Sequence, residues 1–326
     1  MEKQTEIKSL PNNSLPISSP YGGSPEGDRG KDLGGSHRAG FVNIVGNPNV
    51  GKSTLMNKLV GEKISIITSK AQTTRHRIMG IVNGDDFQIV YSDTPGVLKP
   101  HYRLQESMME FSRSALTDAD VLLYVTDISD SFDKNKEFLE KVKHIDSHVI
   151  LIINKIDLTN QTTLEELVKQ WKEILPTAEI FPVSAIENFN IEPLFNRIKE
   201  LLPVSPPFFD KDALTDKPAR FFVTEIIREK ILLHYDKEIP YSVEVAVEQF
   251  SETEKLISIN AVIFVERDSQ KGIIIGHKGK SLKKIGIEAR QDIESFFEKK
   301  VYLELYVKVE KDWRSKDKKL KGFGYM

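Results

Sequence analysis

The stretch GNPNVGKS, residues 46–53, decides the fold of this chain. It matches the pattern Gly-x4-Gly-Lys-Ser, whose glycines let backbone N–H groups turn toward phosphate oxygens. The apolar run FVNIVG leads into it, and the helical pattern STLMNKLVG leads out of it. A helix N-terminus at this place adds favourable partial charge for an anion. The stretch therefore predicts a phosphate-binding loop, the P-loop, between a strand and a helix.

Outward from this loop, short apolar runs alternate with amphipathic helical segments. The apolar runs include QIVYSDT, VLLYVTD, HVILIIN and EIFPVSA. Such alternation predicts an α/β fold with a doubly wound sheet. The runs IMGIV and FQIVYS are joined only by NGDD, which is too short for a crossover helix. One strand is therefore expected to be antiparallel to the others.

Composition divides the chain into four parts. Residues 1–38 are rich in Ser, Pro, Gly and Asn, which predicts a disordered N-terminal extension without a targeting signal. Residues 39–203 form the predicted nucleotide-binding domain, and the proline-rich residues 204–218 form a linker. Residues 219–326 follow the order helix, strand, strand, helix, helix, strand, which predicts a separate α+β domain.

Composition also excludes several classes of protein. The chain has 326 residues, a formal net charge of −2 and no cysteine, so disulfides, thiolate metal sites and a thiol nucleophile are absent. No run of about 18 apolar residues occurs, so no membrane-spanning helix is expected. Residues 269–326 carry 15 Lys and Arg against 8 Asp and Glu, which predicts a C-terminal region that binds a polyanion.

The residues around the P-loop predict the chemistry of phosphoryl transfer. Lys52 is expected to bridge the β- and γ-phosphates, and Ser53 to ligate Mg²⁺. Asp93 ends a strand and is expected to hold the same ion, while the N–H of Gly96 senses the γ-phosphate. Val97 stands where many such enzymes have a glutamine, and a valine cannot orient the attacking water.

The motif NKID, residues 154–157, predicts which base is bound. A carboxylate at Asp157 accepts hydrogen bonds from guanine N1–H and the 2-amino group, and adenine has neither donor at that edge. Asn154 is expected to reach N7 and O6 and to tie this loop to the P-loop, while the stem of Lys155 covers the base. Ser184 and Ala185 are expected to present a backbone N–H to O6.

The loop SKAQTTRHR, residues 69–77 and hereafter the threonine loop, is expected to supply a ligand to Mg²⁺ and the γ-phosphate. Thr74 is the preferred candidate, and Thr73 stays open as the alternative. With it, the candidate catalytic residues are Lys52, Thr74 and Gly96, and the candidate Mg²⁺ ligands are Ser53, Thr74 and Asp93. The full set of candidate nucleotide contacts is Gly46, Asn47, Pro48, Asn49, Val50, Gly51, Lys52, Ser53, Thr54, Asp93, Thr94, Pro95, Gly96, Asn154, Lys155, Asp157, Ser184 and Ala185.

A Gly-x-x-Gly turn marks the second domain. Between two predicted helices in the order αββααβ, such a turn is the arrangement with which KH domains clamp a nucleic-acid backbone. The candidate RNA-binding residues are Gly276, His277, Lys278, Gly279, Lys280 and Lys283. At least two of the isoleucines at 273–275 are expected to be core residues.

The elements in this order resemble the translation-factor-related GTPases and, within them, the Era family. The resemblance covers about residues 40–326 and includes AQTTRHR, EIIREK, IPYSVEV and the ending DWR through GFGY. It implies a P-loop GTPase domain followed by a type II KH domain. The implied function is a GTP-hydrolysing switch that binds the 3′ region of small-subunit ribosomal RNA and assists assembly of that subunit.

The resemblance also implies the cofactors and partners. These are GTP or GDP with Mg²⁺, and the pre-ribosomal particle as the target of a cytoplasmic monomer. Asn49 resembles the asparagine that binds K⁺ in related GTPases. Two alternatives stay open. The first is a GTPase of RNA modification, which would need a second catalytic apparatus. The second is a membrane-associated regulatory GTPase. It would attach loosely to the inner face of the cell membrane, because GFGYM offers no cysteine for a prenyl anchor.

Overall fold

The computed structural model describes residues 37–130 and 134–326. The predicted N-terminal extension lies outside the described residues except at its end, where the structure corrects its boundary. Arg38 is the first residue of a strand and is paired with Phe87. His37 is buried, and its Nδ1 lies 2.8 Å from the carbonyl oxygen of Ser205.

The first domain is built on a six-stranded sheet with the order β2-β3-β1-β4-β5-β6. Its strands are β1 (Arg38–Gly46), β2 (Ile78–Asn83), β3 (Phe87–Asp93), β4 (Val121–Asp127), β5 (His148–Asn154) and β6 (Glu179–Pro182). Its helices are α1 (Lys52–Val60), α2 (Arg103–Thr117), α3 (Lys136–Lys143), α4 (Gln161–Ile174) and α5 (Ile191–Leu201). Strand β2 runs antiparallel to β3, and the other pairs are parallel, which confirms the predicted sheet.

Apolar side chains cover both faces of this sheet. Val42 and Ile44 of β1 pack in the cluster that contains Leu55 of α1, whereas Val45 packs on the opposite side with Met109 of α2. All seven residues of β3 and of β4 are buried, as expected for strands with helices on both faces. The polar residues that end these strands therefore meet along one edge of the sheet.

The proline-rich segment 204–218 lies against the sheet. The side-chain oxygen of Gln88 accepts hydrogen bonds from the backbone N–H groups of Phe208 and Phe209, at 2.7 and 3.0 Å. The N–H of Ile81 in β2 donates to the carbonyl of Leu214 at 2.8 Å. The segment thus covers part of the open edge of β2, where unpaired backbone groups would otherwise face solvent.

The second domain has a three-stranded sheet with the order β7-β8-β9, in which β7 is antiparallel and β9 parallel to β8. Its elements are α6 (Ala219–His234), α7 (Ile239–Ser242), β7 (Glu244–Glu252), β8 (Leu256–Val265), α8 (Asp268–Ile275), α9 (Lys280–Phe297), β9 (Lys300–Val309) and α10 (Asp317–Gly322). Helices α6 and α9 pack on the sheet through Ile227 and Ala289. The order confirms the predicted KH arrangement, to which α7 and α10 are added.

The C-terminal residues join the two domains. Leu104 and Met108 of α2 form one buried cluster with Trp313, Leu320 and Tyr325. Burial of these large side chains on both partners favours a defined contact between the domains. Within the described ranges 37–130 and 134–326, none of the helices has both the length and the apolar character needed to cross a membrane.

Candidate functional site

A cavity of about 500 Å³ lies at the carboxyl ends of the central strands. Its walls come from the P-loop, from residues 66–74, from Gly96 and from Lys155. Doubly wound sheets bind ligands at this edge, because the loops that leave neighbouring strands diverge there. The cavity is thus lined by Lys52, Ser53, Thr74 and Gly96 from the predicted phosphate and metal residues and by Lys155 from the predicted base residues.

The P-loop turns into α1 through Gly51, which has a φ angle of 94°. A Cβ atom at this position would lie 2.2 Å from Nδ2 of Asn154, so only glycine fits between the two loops. Helix α1 begins at Lys52 without a side-chain cap, and its first N–H groups are left for an anion.

Lys52 is buried, and its Nζ donates to the carbonyl of Asn47 at 2.7 Å. Burial lowers the pKa of Lys52 to about 8, against the opposing effect of Asp93 and Asp130. Loss of water around an ammonium group is the dominant effect here. Phosphate oxygens bound in the cavity would stabilise the charged form of Lys52, which burial destabilises.

Ser53, Thr74 and Asp93 meet at the floor of the cavity. Oγ of Ser53 donates to Oδ2 of Asp93 at 2.6 Å, and Oγ1 of Thr74 lies 2.9 Å from Ser53 Oγ and 3.3 Å from the same carboxylate oxygen. The second oxygen, Oδ1, is buried without a hydrogen bond of normal geometry, and burial raises the pKa of Asp93. Two hydroxyls and a desolvated carboxylate suit Mg²⁺, which a site of this kind holds together with substrate phosphates.

Thr73 faces away from this group. Its hydroxyl donates to the carbonyl of Lys70 at 2.6 Å and lies 2.7 Å from Oγ1 of Thr68. No group of three or more His, Asp or Glu able to hold a metal occurs in the described part of the chain. The hydroxyl and carboxylate group at Asp93 is therefore where the predicted Mg²⁺ ligands converge, and Thr74 belongs to it.

The residues predicted to bind the base form a second group. Nδ2 of Asn154 donates to the carbonyl of Val50 at 2.8 Å, and its Oδ1 accepts from the N–H of Ala185 at 3.1 Å. Oγ of Ser184 donates to Oδ1 of Asp157 at 2.5 Å. The structure thus ties this loop to the P-loop as expected. It also gives Ser184 a contact that the sequence did not predict, orientation of the Asp157 carboxylate.

Asp127 is a site residue that the sequence analysis missed. Its Oδ2 accepts from Nζ of Lys155 at 2.5 Å, and the same Nζ donates to the carbonyl of Asn49 at 2.6 Å. Both contacts hold the lysine stem in place beside the cavity. The signal was present in VLLYVTD, because a carboxylate that ends a buried parallel strand lies beside the end of the next one, here Asn154.

Several remaining candidates have structural contacts rather than a place at the opening. Asn47 is buried and donates to Asp130 at 2.7 Å, and Thr94 donates to the carbonyl of Ile44 at 2.8 Å. The carbonyl of Pro95 accepts from Ser112 at 2.8 Å. By contrast, Pro48 and Thr54 line the cavity. Asn47, Thr94 and Pro95 therefore stabilise the loops that form the site.

Val97 points into the protein core. It is buried against Val45 and Met109, and its N–H donates to the carbonyl of Gly46 at 3.0 Å. Its side chain is withdrawn from the cavity wall, to which Gly96 contributes. Neither chemistry nor position therefore allows Val97 to orient a water molecule.

The threonine loop is bound to the second domain, which the sequence analysis did not predict. Arg75 donates to the carbonyls of Val243 and Pro240 at 2.7 and 2.8 Å. Nζ of Lys70 donates to the carbonyls of Leu232 and Tyr235 at the end of α6. These contacts join the loop that carries Thr74 to the domain that carries the glycine turn.

The glycine turn connects α8 to α9. Gly276 has a φ angle of 69°, and a Cβ atom there would lie 2.1 Å from Oγ of Ser281. His277 and Lys278 are exposed at its tip, and Lys280 and Lys283 are exposed on the first turn of α9. An exposed turn with cations around it allows a sugar-phosphate backbone to approach closely.

The expectation that at least two of the isoleucines at 273–275 are core residues is wrong. Ile274 is fully buried, but Ile275 is half-buried and Ile273 is 46% exposed. The three residues lie in the last turn of a short helix, so only one of them faces the sheet. The other two leave apolar surface beside the turn.

Comparison with protein families assigns both domains. Residues 41–155 match the family described as 50S ribosome-binding GTPase, and residues 238–314 match the KH domain family. The first match spans the P-loop, the threonine loop, Asp93 and the start of NKID. The second spans both glycines of the turn and all three strands of the second sheet.

Curated relatives match nearly the whole chain. It is 42% identical over 292 residues to GTPase Era of Staphylococcus haemolyticus and 41% identical over 292 residues to GTPase Era of Staphylococcus epidermidis. Each alignment covers 89% of this chain and 98% of the relative. The similarity therefore includes both domains in the same order.

Two solved structures have the same fold over both domains. One is Era in complex with MgGDPNP and nucleotides 1506–1542 of 16S ribosomal RNA, with a TM-score of 0.85 and 38% identity over 89% of this chain and 99% of that chain. The other is a variant of Aquifex aeolicus Era bound to GDP and aluminium fluoride, with a TM-score of 0.85 and 38% identity over 88% of this chain and 99% of that chain.

Proposed function

This chain belongs to the Era family of GTPases, and we propose that it hydrolyses GTP to GDP and phosphate and binds the 3′ region of small-subunit ribosomal RNA. The assignment as a hydrolase rests on one observation: side-chain oxygens of Ser53, Thr74 and Asp93 lie within 3.3 Å of one another beside the P-loop cavity. The Era relative that contains MgGDPNP supports GTP and Mg²⁺ as the ligands.

The chain's own residues account for binding and orientation of GTP. The N–H groups at the start of α1 and the ammonium group of Lys52 bind the phosphates, and Asp157 accepts from the guanine edge. Ser53, Thr74 and Asp93 would hold Mg²⁺, which would offset the negative charge of the β- and γ-phosphates. The backbone N–H of Gly96, which lines the cavity, would donate to the γ-phosphate.

Because Val97 is withdrawn, the developing charge has to be offset by another group, and we propose K⁺ at Asn49. Asn49 has a φ angle of 66° and its Nδ2 donates to the carbonyl of Ser69 at 3.0 Å. That contact leaves Oδ1 as the amide atom able to bind a cation. A monovalent ion beside the phosphates would act where an arginine of a partner acts in other GTPases.

The second domain is proposed to read RNA. The glycine turn, its exposed lysines and the Era relative bound to 16S ribosomal RNA support this role. We extend the proposal to assembly of the small ribosomal subunit by a cytoplasmic monomer. Weak association of the same lysines with the inner face of the cell membrane is a secondary proposal. An RNA-modification GTPase is not favoured, because the Era relatives match this chain in both of its domains.

One experiment tests both halves of the proposal. The full chain carrying His277→Asp and Lys278→Asp is titrated with a synthetic RNA of nucleotides 1506–1542, alongside the wild type. A matched control carries Lys318→Asp and Lys321→Ser, which make the same change in formal charge at exposed positions of the same domain. All measurements are made with a non-hydrolysable GTP analogue and again with GDP.

We expect the turn variant to lose nearly all RNA binding, because carboxylates combine a steric block with repulsion of phosphates. The control variant should bind RNA nearly as the wild type does. Basal GTP hydrolysis should stay within a few fold in both, since the nucleotide site lies in the first domain. RNA affinity that survives in the turn variant would show that this module is not the RNA reader. Wild-type protein that fails to hydrolyse GTP would refute the enzyme assignment.

A further inference from the structure

A surface groove of about 350 Å³ lies between residues 97–100, α2 and α3. Its floor is apolar and consists of Val97, Leu98, Met109 and Phe138. Val97, Met109 and Phe138 belong to one buried cluster, and Leu98 packs against it. The floor is therefore fixed by the core of the first domain and is not a loose surface depression.

The rim of this groove is strongly basic. Among the described residues that line it, the charged side chains are Lys99, Arg113, Lys134, Lys136, Lys141 and, with the opposite sign, Glu137. Lys134 lies 3.6 Å from the buried carboxylate of Asp130, and Lys136 also has an interaction partner, so the charge offered to a ligand comes mainly from Lys99, Arg113 and Lys141. The excess of cations is local, because the chain before residue 269 contains more Asp and Glu than Lys and Arg.

The floor of the groove is connected to the nucleotide site. Nδ2 of Asn135, which also lines the groove, donates to the carbonyl of Val97 at 3.1 Å and to Oδ1 of Asn47 in the P-loop at 2.5 Å. The N–H of Val97 is bonded to Gly46, and Gly96 lies on the cavity wall. A molecule bound in the groove would thus contact the peptide that directly follows the γ-phosphate sensor.

We propose that this groove binds an acidic segment of a partner protein that carries at least one large aliphatic side chain, and that such binding changes the rate of GTP turnover. The cationic rim is complementary to Glu and Asp, and the floor offers aliphatic and sulfur surface that an aliphatic side chain would cover. Among the described residues that line the groove, the single aromatic ring is that of Phe138, which is buried and offers no exposed face on which an RNA base could stack.

Only the effect on turnover rests on the proposed GTPase function. The binding event rests on the groove itself. The two are therefore tested by separate measurements on the same protein, and failure of GTP hydrolysis in the wild type would leave the peptide measurement intact.

The probe is a short fluorescent peptide of Glu and Ser with two Leu residues, and its partner probe has both Leu replaced by Ser. Fluorescence anisotropy is measured with the full chain in the presence of a GTP analogue and of GDP. The groove variant carries Lys99→Glu and Arg113→Glu. The control variant carries Lys58→Glu and Lys169→Glu, which change the charge equally at exposed positions of α1 and α4. An oligouridine is titrated as a third probe.

We expect saturable binding of the Leu peptide to the wild type and the control variant, and binding weakened at least about tenfold in the groove variant because carboxylates would face carboxylates. The Ser peptide should bind more weakly than the Leu peptide, and the Leu peptide should alter the rate of GTP hydrolysis. Absent binding, equal affinities in the two variants, or equal affinities for the two peptides would overturn the proposal. Loss of oligouridine binding alone in the groove variant would assign the rim to RNA instead.

Discussion

Arg75 of the threonine loop and Glu244 of β7 form an ion pair across the boundary between the two domains, with 3.1 Å between Nη1 and Oε2. Both side chains are buried, at 0% and 6% exposure. The same carboxylate accepts from the hydroxyl of Tyr325 at 2.6 Å. A buried, desolvated ion pair therefore holds the loop that contains Thr74 against the second domain.

Breaking this pair should destabilise the protein strongly. Removal of one partner of a buried ion pair leaves an uncompensated charge, so we expect Arg75→Met to lower the free energy of unfolding by about 3 to 5 kcal/mol. The measurement is denaturant unfolding of the nucleotide-free chain. Arg103 and Asp317 provide a control, because their 2.9 Å pair also joins the two domains but is exposed. Arg103→Met should cost clearly less than Arg75→Met, because water screens an exposed ion pair, and equal losses in the two variants would contradict the role of burial.

Selectivity for guanine should depend on Asp157. In Asp157→Asn an amide group faces the donors of guanine, so GTP binding should weaken by on the order of 2 to 4 kcal/mol while binding of xanthosine triphosphate improves. Competition with a fluorescent GDP analogue measures both affinities. The exposed carboxylate of Asp146 on the same domain offers the control substitution Asp146→Asn. GTP affinity unchanged in Asp157→Asn would remove the residue from the base site.

The two adjacent threonines should differ sharply in function. Thr74→Ala removes a hydroxyl next to Ser53 and Asp93, so Mg²⁺ affinity of the GTP-analogue complex and the rate of hydrolysis should each fall by at least about tenfold. Thr73→Ala removes a hydroxyl that contacts only Lys70 and Thr68 and should change either quantity by a few fold at most. Magnesium titrations and single-turnover hydrolysis report the two effects. Equal behaviour of the two variants would show that the observed loop is not the one that binds Mg²⁺.

Potassium should accelerate hydrolysis through Asn49. We expect faster turnover in potassium chloride than in sodium chloride at equal ionic strength, and loss of that difference in Asn49→Ala. Both rates are measured at saturating GTP so that binding does not enter the comparison. Equal rates in the two salts would refute a role for the ion, whereas a potassium effect that persists in Asn49→Ala would place the ion at other ligands.

The sequence by itself determined the elements and the identity of the first domain. Local patterns were sufficient, because Gly-x4-Gly-Lys-Ser between an apolar run and a helical run has few other interpretations, and NGDD can join only antiparallel strands. Asp93 and Asn154 end buried parallel strands, so their convergence followed from the topology. The isoleucines at 273–275 were misjudged because an apolar run in a short helix does not show which residue faces the core.

Only the tertiary structure decided how the two domains meet and which threonine faces Asp93. Arg75 and Glu244 are 169 residues apart, and no local pattern predicts a contact at that separation. Thr73 and Thr74 are equivalent in the sequence. The structure distinguishes them because Arg75 is anchored on the second domain and Arg228 of α6 donates to the carbonyl of Thr73 at 2.5 Å. These anchors set the rotation of the loop backbone, and that rotation turns the hydroxyl of Thr74, not that of Thr73, toward Asp93.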